Sequence, residues 1–167
     1  MSSIPRSSHD TMLKMFLFPV VVISSILIFS SCDGDYYSYR KEIPDGNWPY
    51  GLILDFPFEI NDTSHQFDLL IDVEHAVSFA NSNLYVKIGT WFPNGEAKND
   101  IVSFNLANRF GIWEGRCGSD HCVAEILLQK SVSFKDIGIY RIDLEQYSRE
   151  EVVRGIKSLT LRLKQVK

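Results

Sequence analysis

Residues 52–60 read LILDFPFEI and residues 66–74 read QFDLLIDVE, and in both stretches apolar and polar side chains largely alternate. Successive side chains of a β-strand point to opposite faces of the sheet, so a period of two indicates strands with one buried face. Pro57 lies among the outward positions of the first stretch and has no N–H to donate. This places that strand at a sheet edge or at a bulge.

The same alternation continues along the chain. Pro93-Asn94-Gly95 is a strong turn signal between two apolar runs. No strand–helix–strand alternation is visible, so a parallel sheet is not expected. The chain is therefore predicted to be all-β, a two-sheet antiparallel β-sandwich of the Ig-like or jelly-roll-like kind. The six further strand candidates are residues 36–43, 84–88, 101–106, 123–129, 139–146 and 159–164.

The apolar positions of these stretches predict the core of the sandwich. They are Leu52, Leu54, Phe56, Phe58, Phe67, Leu69, Ile71, Val73, Leu84, Val86, Ile88, Leu159, Leu161 and Leu163. Residues 147–155 differ, because Ser148 stands three residues before Glu151, which is the capping-box spacing. Gly155 stands where such a helix would end. One short helical turn is therefore expected before the last strand.

Composition and charge limit the classes of protein that remain. The chain has 167 residues, a net charge of −4 and 45% apolar residues, which suits one packed domain rather than a disordered chain. The balance is mildly acidic, and there is no long block of like charges. A nucleic-acid partner is therefore not expected.

The N-terminal segment is typical of an exported protein. Residues 15–31 form an apolar run of 17 residues that follows Arg6 and Lys14 and ends at Cys32. A basic flank, a short apolar stretch and small residues before a processing point are typical of a secretory signal. The run is marginal as a membrane span, which needs about 20 apolar residues. The two serines directly before Cys32 resemble a bacterial lipobox.

A lipobox predicts that Cys32 is acylated, for example with palmitate, and becomes the mature N-terminus. Its acyl chains would tether the chain to a membrane of the bacterial cell envelope. The alternative is an uncleaved signal anchor. The predicted division of the chain is a lipoprotein signal peptide at 1–31, a lipidated leader with the first strand at 32–48, and the β-sandwich at 49–167.

After lipidation, Cys117 and Cys122 are the remaining cysteines, and an even pair in an exported protein predicts a disulfide. No nucleophile elbow, P-loop, zinc-type cysteine pair or HExxH stretch is present, so neither an enzyme nor a cofactor is expected. Glu114, Asp120 and His121 could be considered as metal ligands. They lack further partners at ligand spacing, so no metal site is predicted.

The aromatic residues allow two interpretations. Trp48, Trp91 and Trp113 flank turns, where such rings usually close the ends of a core. Exposed rings lined up on one sheet face would instead favour glycan binding. The loop from Gly111 to Cys122, with Trp113 and Arg116, is the first candidate for contact with a protein partner. The alternative is that Trp113 only caps the core.

Several motifs, taken in order, resemble the gliding-motility lipoprotein family GldH of the Bacteroidetes. The motifs are the lipobox cysteine, Asn-Trp-Pro at 47–49, Phe-Pro-Phe at 56–58, Asn-Leu-Tyr-Val at 83–86, Trp-Phe-Pro-Asn-Gly at 91–95, Gly-Ile-Trp-Glu-Gly at 111–115, Gly-Ile-Tyr at 138–140, Glu-Gln at 145–146 and Gly-Ile at 155–156. The resemblance covers nearly the whole mature chain. It implies no catalytic residues.

The resemblance implies an envelope-anchored lipoprotein that is an accessory component of the gliding and secretion machinery. Such a protein would work through contacts with other envelope proteins. The alternative is a cell-surface glycan-binding β-sandwich lipoprotein. A flat polar surface with buried aromatics would favour the first function, and aromatics aligned along one sheet face would favour the second.

Overall fold

The computed structural model describes residues 34–166, and Cys32 with the predicted signal segment lies outside that range. The described chain is all-β, as the sequence predicts. Its strands are β1 (Tyr37–Glu42), β2 (Asn47–Pro49), β3 (Leu54–Ile60), β4 (Gln66–Ala76), β5 (Asn83–Trp91), β6 (Ala97–Asn105), β7 (Arg116–Cys117), β8 (His121–Ser133), β9 (Gly138–Gln146), β10 (Val152–Arg154) and β11 (Ile156–Gln165).

The strands form two antiparallel sheets and a small ribbon. The five-stranded sheet has the order β1-β11-β4-β8-β7, and the four-stranded sheet has the order β3-β9-β5-β6. β2 and β10 pair with each other, which brings Val153 opposite the buried Trp48. β1 pairs with β11 along its whole length, so the first strand is part of the sandwich.

The inner faces of the two sheets form the core. Twelve of the fourteen apolar residues predicted for the core are buried, which confirms the alternation as its source. Leu52 and Leu69 are only partly buried and pack against the core. Leu69 lies opposite the buried Leu163 of β11, so it faces inward as predicted. It lines an open cleft with Phe58 and Phe92, at a point where the pairing of β4 with β8 shifts on either side of it.

The predicted helical turn before the last strand is wrong. Gln146 is buried and its side-chain amide donates to the carbonyl of Glu150 at 3.1 Å, while its Oε1 accepts from the Ser148 N–H at 2.9 Å. The Ser148 hydroxyl accepts from the N–H of Glu150 at 3.2 Å and not from Glu151, as a capping box would require. The chain then continues into β10. Within residues 34–166 the helical turn is a 3₁₀ turn at Pro44–Gly46.

Two local predictions from proline are confirmed. β3 is an edge strand of the four-stranded sheet, which is where a proline without an N–H donor is expected. Pro93-Asn94-Gly95 turns the chain between β5 and β6, with Gly95 at φ +87° and its N–H donating to the carbonyl of Phe92 at 3.0 Å. A positive φ is favourable for glycine, which has no Cβ.

The sandwich has two ends, which the strand pairings define. At the N-terminal end the described chain enters at Gly34, and Tyr37 pairs with Leu163. The Tyr36 hydroxyl also contacts the carbonyl of Glu59 there, at 3.2 Å. At the distal end Ala76 pairs with His121, and Asn83 with Asn105.

Candidate functional site

The predicted contact loop runs across the distal end. It leaves β6, crosses from the four-stranded to the five-stranded sheet and returns through β7 to β8. Cys117 and Cys122 are joined by a disulfide, and the two residues also pair across β7 and β8. The N–H of Gly118 donates to the carbonyl of His121 at 2.8 Å, so the disulfide closes a tight turn.

Trp113 packs against the distal end of the core. Its ring meets the His75 ring edge-on at 4.6 Å, and its Nε1 donates to the carbonyl of Val77 at 3.2 Å. Arg116, by contrast, lies exposed on β7. Of the two residues predicted to contact a partner, Trp113 is thus in a packing position, while Arg116 is available at the surface.

The most exposed apolar side chains of this region are ones that the sequence analysis did not single out. Phe110 is 72% exposed and Ile112 is 63% exposed. The side-chain Oδ1 of Asn108 accepts from the N–H of Phe110 at 2.9 Å and from the N–H of Ile112 at 3.1 Å. We call Asn108–Ile112 the distal loop. Its hydrogen bonds fix the backbone that holds two apolar side chains in water. The sequence signal that could have indicated it is the turn from Asn108 to Gly111 with flanking apolar residues.

His75 lies beneath Trp113 and is fully buried. Burial lowers the pKa of His75 below its ordinary value, so the ring is neutral at physiological pH. Its Nδ1 lies 3.0 Å from the carbonyl of Ala76, which fits a proton on that nitrogen. The ring therefore packs as an apolar group with one donor.

Of the residues considered as metal ligands, Asp120 and His121 are paired with neighbouring charged groups. The Asp120 carboxylate lies 3.1 Å from Lys157 Nζ and 2.8 Å from His121 Nδ1, and these two partners hold the pKa of Asp120 below its ordinary value. Glu114 is exposed. In the part of the chain that the structure describes, no three potential metal-ligating side chains lie together.

The outer face of the five-stranded sheet carries a network of charges, which we call the charged face. Arg162 contacts Asp72 at 3.0 Å and Asp35 at 3.4 Å, and it also contacts Glu125. Arg40 contacts Glu74 at 2.6 Å. These side chains pair with one another across four strands.

A hydrogen bond between neighbouring strands also affects the pKa of Glu74 on this face. Burial tends to raise the pKa of Glu74, but hydrogen bonds from Ser158 and Arg40 outweigh it and hold the pKa below its ordinary value. The Ser158 hydroxyl donates to Glu74 at 3.0 Å. Glu74 is therefore held in its charged form by its own neighbours.

The outer face of the four-stranded sheet has a different character, and we call it the aromatic face. β5 presents Tyr85, Lys87, Gly89 and Trp91 in a row on this side, because residues two apart share a face. Tyr85 is 49% exposed and Trp91 is 42% exposed. Tyr147 lies beside Tyr85, since its N–H donates to the carbonyl of Tyr85 at 2.8 Å.

One depression lies on the aromatic face and a second lies next to it at the distal end. The first, of about 130 Å³, is lined by Gly89 together with Ile53, Lys87, Trp91, Asn99, Asp143 and Glu145. The other, about 1090 Å³, lies toward the distal end and includes Tyr50, Tyr85, Tyr147 and Ile101 in its lining. The sequence analysis named Trp91 as a turn-flanking residue but did not bring it together with these neighbours, because they come from different strands.

The fold and these surfaces define an all-β sandwich domain that offers an exposed loop and an aromatic sheet face. The family model described as GldH lipoprotein matches residues 35–163, and the chain belongs to this family of lipoproteins. No helix in residues 34–166 is long and apolar enough to cross a membrane.

Curated relatives carry the same description. A gliding motility lipoprotein GldH homolog of Christiangramia forsetii is 26% identical over 83% of this chain and 86% of its own length. The gliding motility lipoprotein GldH of Flavobacterium johnsoniae is 22% identical over 87% of this chain and 94% of its own length. These names support membrane association in the cell envelope.

Among solved structures, the 4-O-methyl-α-glucuronidase BtGH115A matches 83% of this chain at 10% identity with a TM-score of 0.45. This chain covers 18% of that enzyme.

Proposed function

We propose that the chain is a membrane-anchored accessory lipoprotein of the gliding and secretion machinery that works by binding another envelope protein and has no catalytic site. The observation that supports this most strongly is the distal loop, in which ordered backbone holds Phe110 and Ile112 exposed. Exposed apolar side chains on a fixed loop are typical of a contact surface.

The order of the loop lowers the cost of binding. Two hydrogen bonds to the Asn108 side chain and one from the Asn108 N–H to the carbonyl of Ile112, at 2.8 Å, fix the backbone. The Arg109 guanidinium stacks over the Phe110 ring at 4.7 Å. A preformed loop has less conformational entropy to lose when a partner binds.

The position of the loop suits a tethered protein. Cys32 stands two residues before Gly34, so a lipid on Cys32 would hold the N-terminal end of the sandwich at the membrane. The distal loop is at the opposite end of the strands. A tether also raises the local concentration of the chain, so a weak contact can be sufficient.

The lipid anchor can be tested separately. Cells that express the chain are labelled with a radioactive fatty acid, and the protein is recovered by an affinity tag. We expect label on the wild-type chain and none on Cys32→Ser. Equal label on both would refute acylation at this cysteine.

The contact is tested in the full chain in its own envelope. Phe110→Ser with Ile112→Ser should abolish cross-linking to a partner while leaving thermal stability unchanged, because both side chains are largely in water. The matched control is Ile137→Ser with Ile139→Ser near the N-terminal end, which are 64% and 66% exposed. Wild-type cross-linking by the distal variant would remove the loop from the proposal.

Trp113 and Arg116 complete this test. Trp113→Ala should lower thermal stability because it removes the contact with His75. Arg116→Ala should leave stability unchanged and weaken the cross-link, since Arg is a residue type that often contributes to interface energy. An Arg116→Ala variant that keeps full cross-linking would restrict the contact to the distal loop.

A further inference from the structure

We propose that the aromatic face binds a neutral oligosaccharide, with one sugar ring seated in the depression over Gly89 beside Trp91. This goes beyond the proposed protein contact, because it uses a sheet face that the distal loop does not touch. A strand-centre glycine, an exposed indole and several polar side chains meet in this depression.

Gly89 lies at the floor of the depression and is itself buried beneath the surrounding side chains. It lies in β5, between β9 and β6, where a glycine weakens a strand and often marks a close approach by a ligand. Its φ is not positive, so the backbone does not require glycine there. A Cβ at this position would lie 3.4 Å from Asp143 Cβ, 3.5 Å from Asn99 Oδ1 and 3.6 Å from Trp91 Nε1, which are ordinary contacts. The backbone therefore does not require glycine, and the absent side chain lets the edge of the Trp91 indole lie close to the strand.

The walls supply the groups that recognise a sugar. The indole of Trp91 is held by its Nε1, which donates to Asp143 Oδ2 at 2.6 Å, and by Arg141, which lies 4.6 Å from the ring centre. Around the glycine stand Lys87 as a donor, the Asn99 amide as donor and acceptor, and Glu145 as an acceptor. A saccharide matches this arrangement because it combines an apolar C–H face with hydroxyl groups at its edge.

The charges of the site favour an uncharged ligand. Lys87 Nζ lies 3.6 Å from Glu145 Oε2, and Arg141 Nε lies 3.0 Å from Asp143 Oδ1. The two cations and two carboxylates offset one another, so the site has no excess charge with which to attract an anion or a cation. An acidic polysaccharide, a phosphate group or a basic peptide would not be selected.

The length of the face fits a chain rather than a single sugar. Tyr85 and Trp91 are six residues apart on one strand, which is about 20 Å at the rise of a β-strand. Beyond Tyr85 the surface continues over Tyr147 and Tyr50 into the larger depression. Exposed rings at intervals along a trough can each hold one ring of an extended oligosaccharide.

The proposal is tested with the full-length chain in a detergent without a sugar headgroup. The probes are soluble hexasaccharides of glucose, xylose, mannose and N-acetylglucosamine, with a hexagalacturonate as the acidic comparison. Binding is measured by calorimetry and by the fluorescence of the tryptophans. We expect at least one neutral probe to bind and the acidic probe not to bind.

The variants separate the site from the fold. Gly89→Ala should keep the thermal stability, since its Cβ meets only ordinary contacts, and should weaken binding by raising the floor of the depression. Gly89→Thr adds atoms beyond the Cβ, toward Asp143, Asn99 and Trp91, so it is used only if it keeps the wild-type thermal stability, and it should then weaken binding about tenfold or more. Trp91→Ala should abolish binding. The matched controls are Ser38→Thr on the charged face and Tyr39→Ala, whose ring is 48% exposed on β1.

Three results would overturn the proposal. The first is that no neutral probe binds at millimolar concentration. The second is that binding is unchanged in Trp91→Ala and in the folded Gly89 variant. The third is that these variants lose a protein cross-link in the envelope while no sugar binds, which would make the aromatic face a protein interface.

Discussion

The charged face and the aromatic face are the two outer surfaces of one sandwich, and their outward side chains differ in character. On the charged face, Arg162 and Arg40 contact carboxylates from other segments of the sheet within 3.4 Å. On the aromatic face, Tyr85 and Trp91 stay about half exposed around a glycine. Charged groups pair on both faces, as Lys87 does with Glu145 on the second, but only the second face also presents exposed aromatic rings to a ligand.

This difference shows that a period of two predicts which residues face outward but not what the outward face does. The two faces differ in which side chains remain exposed once the charged groups on adjacent strands have paired. The comparison predicts that substitutions on the charged face affect stability, while substitutions on the aromatic face affect binding.

The largest effect is expected beneath both faces. Leu161 lies under the charged face and Leu144 under the aromatic face, and both are fully buried. Leu161→Ala and Leu144→Ala should each lower the free energy of unfolding by about 2–5 kcal/mol through lost burial and a cavity. Urea denaturation measures this. A much smaller loss for Leu144→Ala alone would mean that the two sheets do not share one core.

The next effect separates the two faces. Arg162→Ala leaves the partly buried carboxylate of Asp72 without its main partner and should cost about 1–3 kcal/mol. The matched variant is Lys87→Ala on the aromatic face, whose pair with Glu145 at 3.6 Å is more exposed. An exposed pair contributes little, so this variant should cost about 0.5 kcal/mol or less. Equal losses in urea denaturation would remove the distinction between the faces.

The pairing across strands also marks what the sequence could and could not predict. The long strands and most of the core followed from alternation, because burial of one face imposes that period on the sequence. The partial exposure of Leu69 did not follow, because it lies beside an irregularity in pairing that depends on the partner strand β8. The prediction of a helical turn failed because the side chain of the buried Gln146 forms hydrogen bonds with the backbone of the loop that Ser148 was expected to cap.

The candidate sites were harder to predict. The sequence indicated the loop with Trp113 and Arg116, but the ring packs inward and the exposed tip is Phe110 and Ile112. The depression at Gly89 was not visible, because its walls come from three strands and a glycine alone carries no signal. Only the register places Asn99 and Asp143 beside it.

A smaller effect is expected from acid at the distal end, away from both faces. His75 has a pKa below its ordinary value of 6.5 in the folded chain because it is buried. Below about pH 6.5 the unfolded chain binds a proton at this residue that the folded chain does not, so stability falls as the pH falls from that point toward the lowered pKa. Urea denaturation between pH 7.5 and pH 5.5 should show this decline. His75→Leu should flatten the curve in that range, and an unchanged slope would contradict the assignment.

The smallest effect on stability is expected for an exposed ring of the aromatic face. Tyr85 projects from the aromatic face and is 49% exposed. Tyr85→Ser should change the free energy of unfolding by about 0.5 kcal/mol or less, because a surface side chain away from the core contributes little. The same variant should reduce binding of the longest neutral oligosaccharide more than that of its disaccharide, since Tyr85 lies along the strand from Gly89. On a ligand-binding surface, we expect a residue whose substitution changes binding but does not change the free energy of unfolding. A loss of stability comparable to that of Arg162→Ala would instead mean that the rings of this face pack against one another as the charges of the opposite face pair.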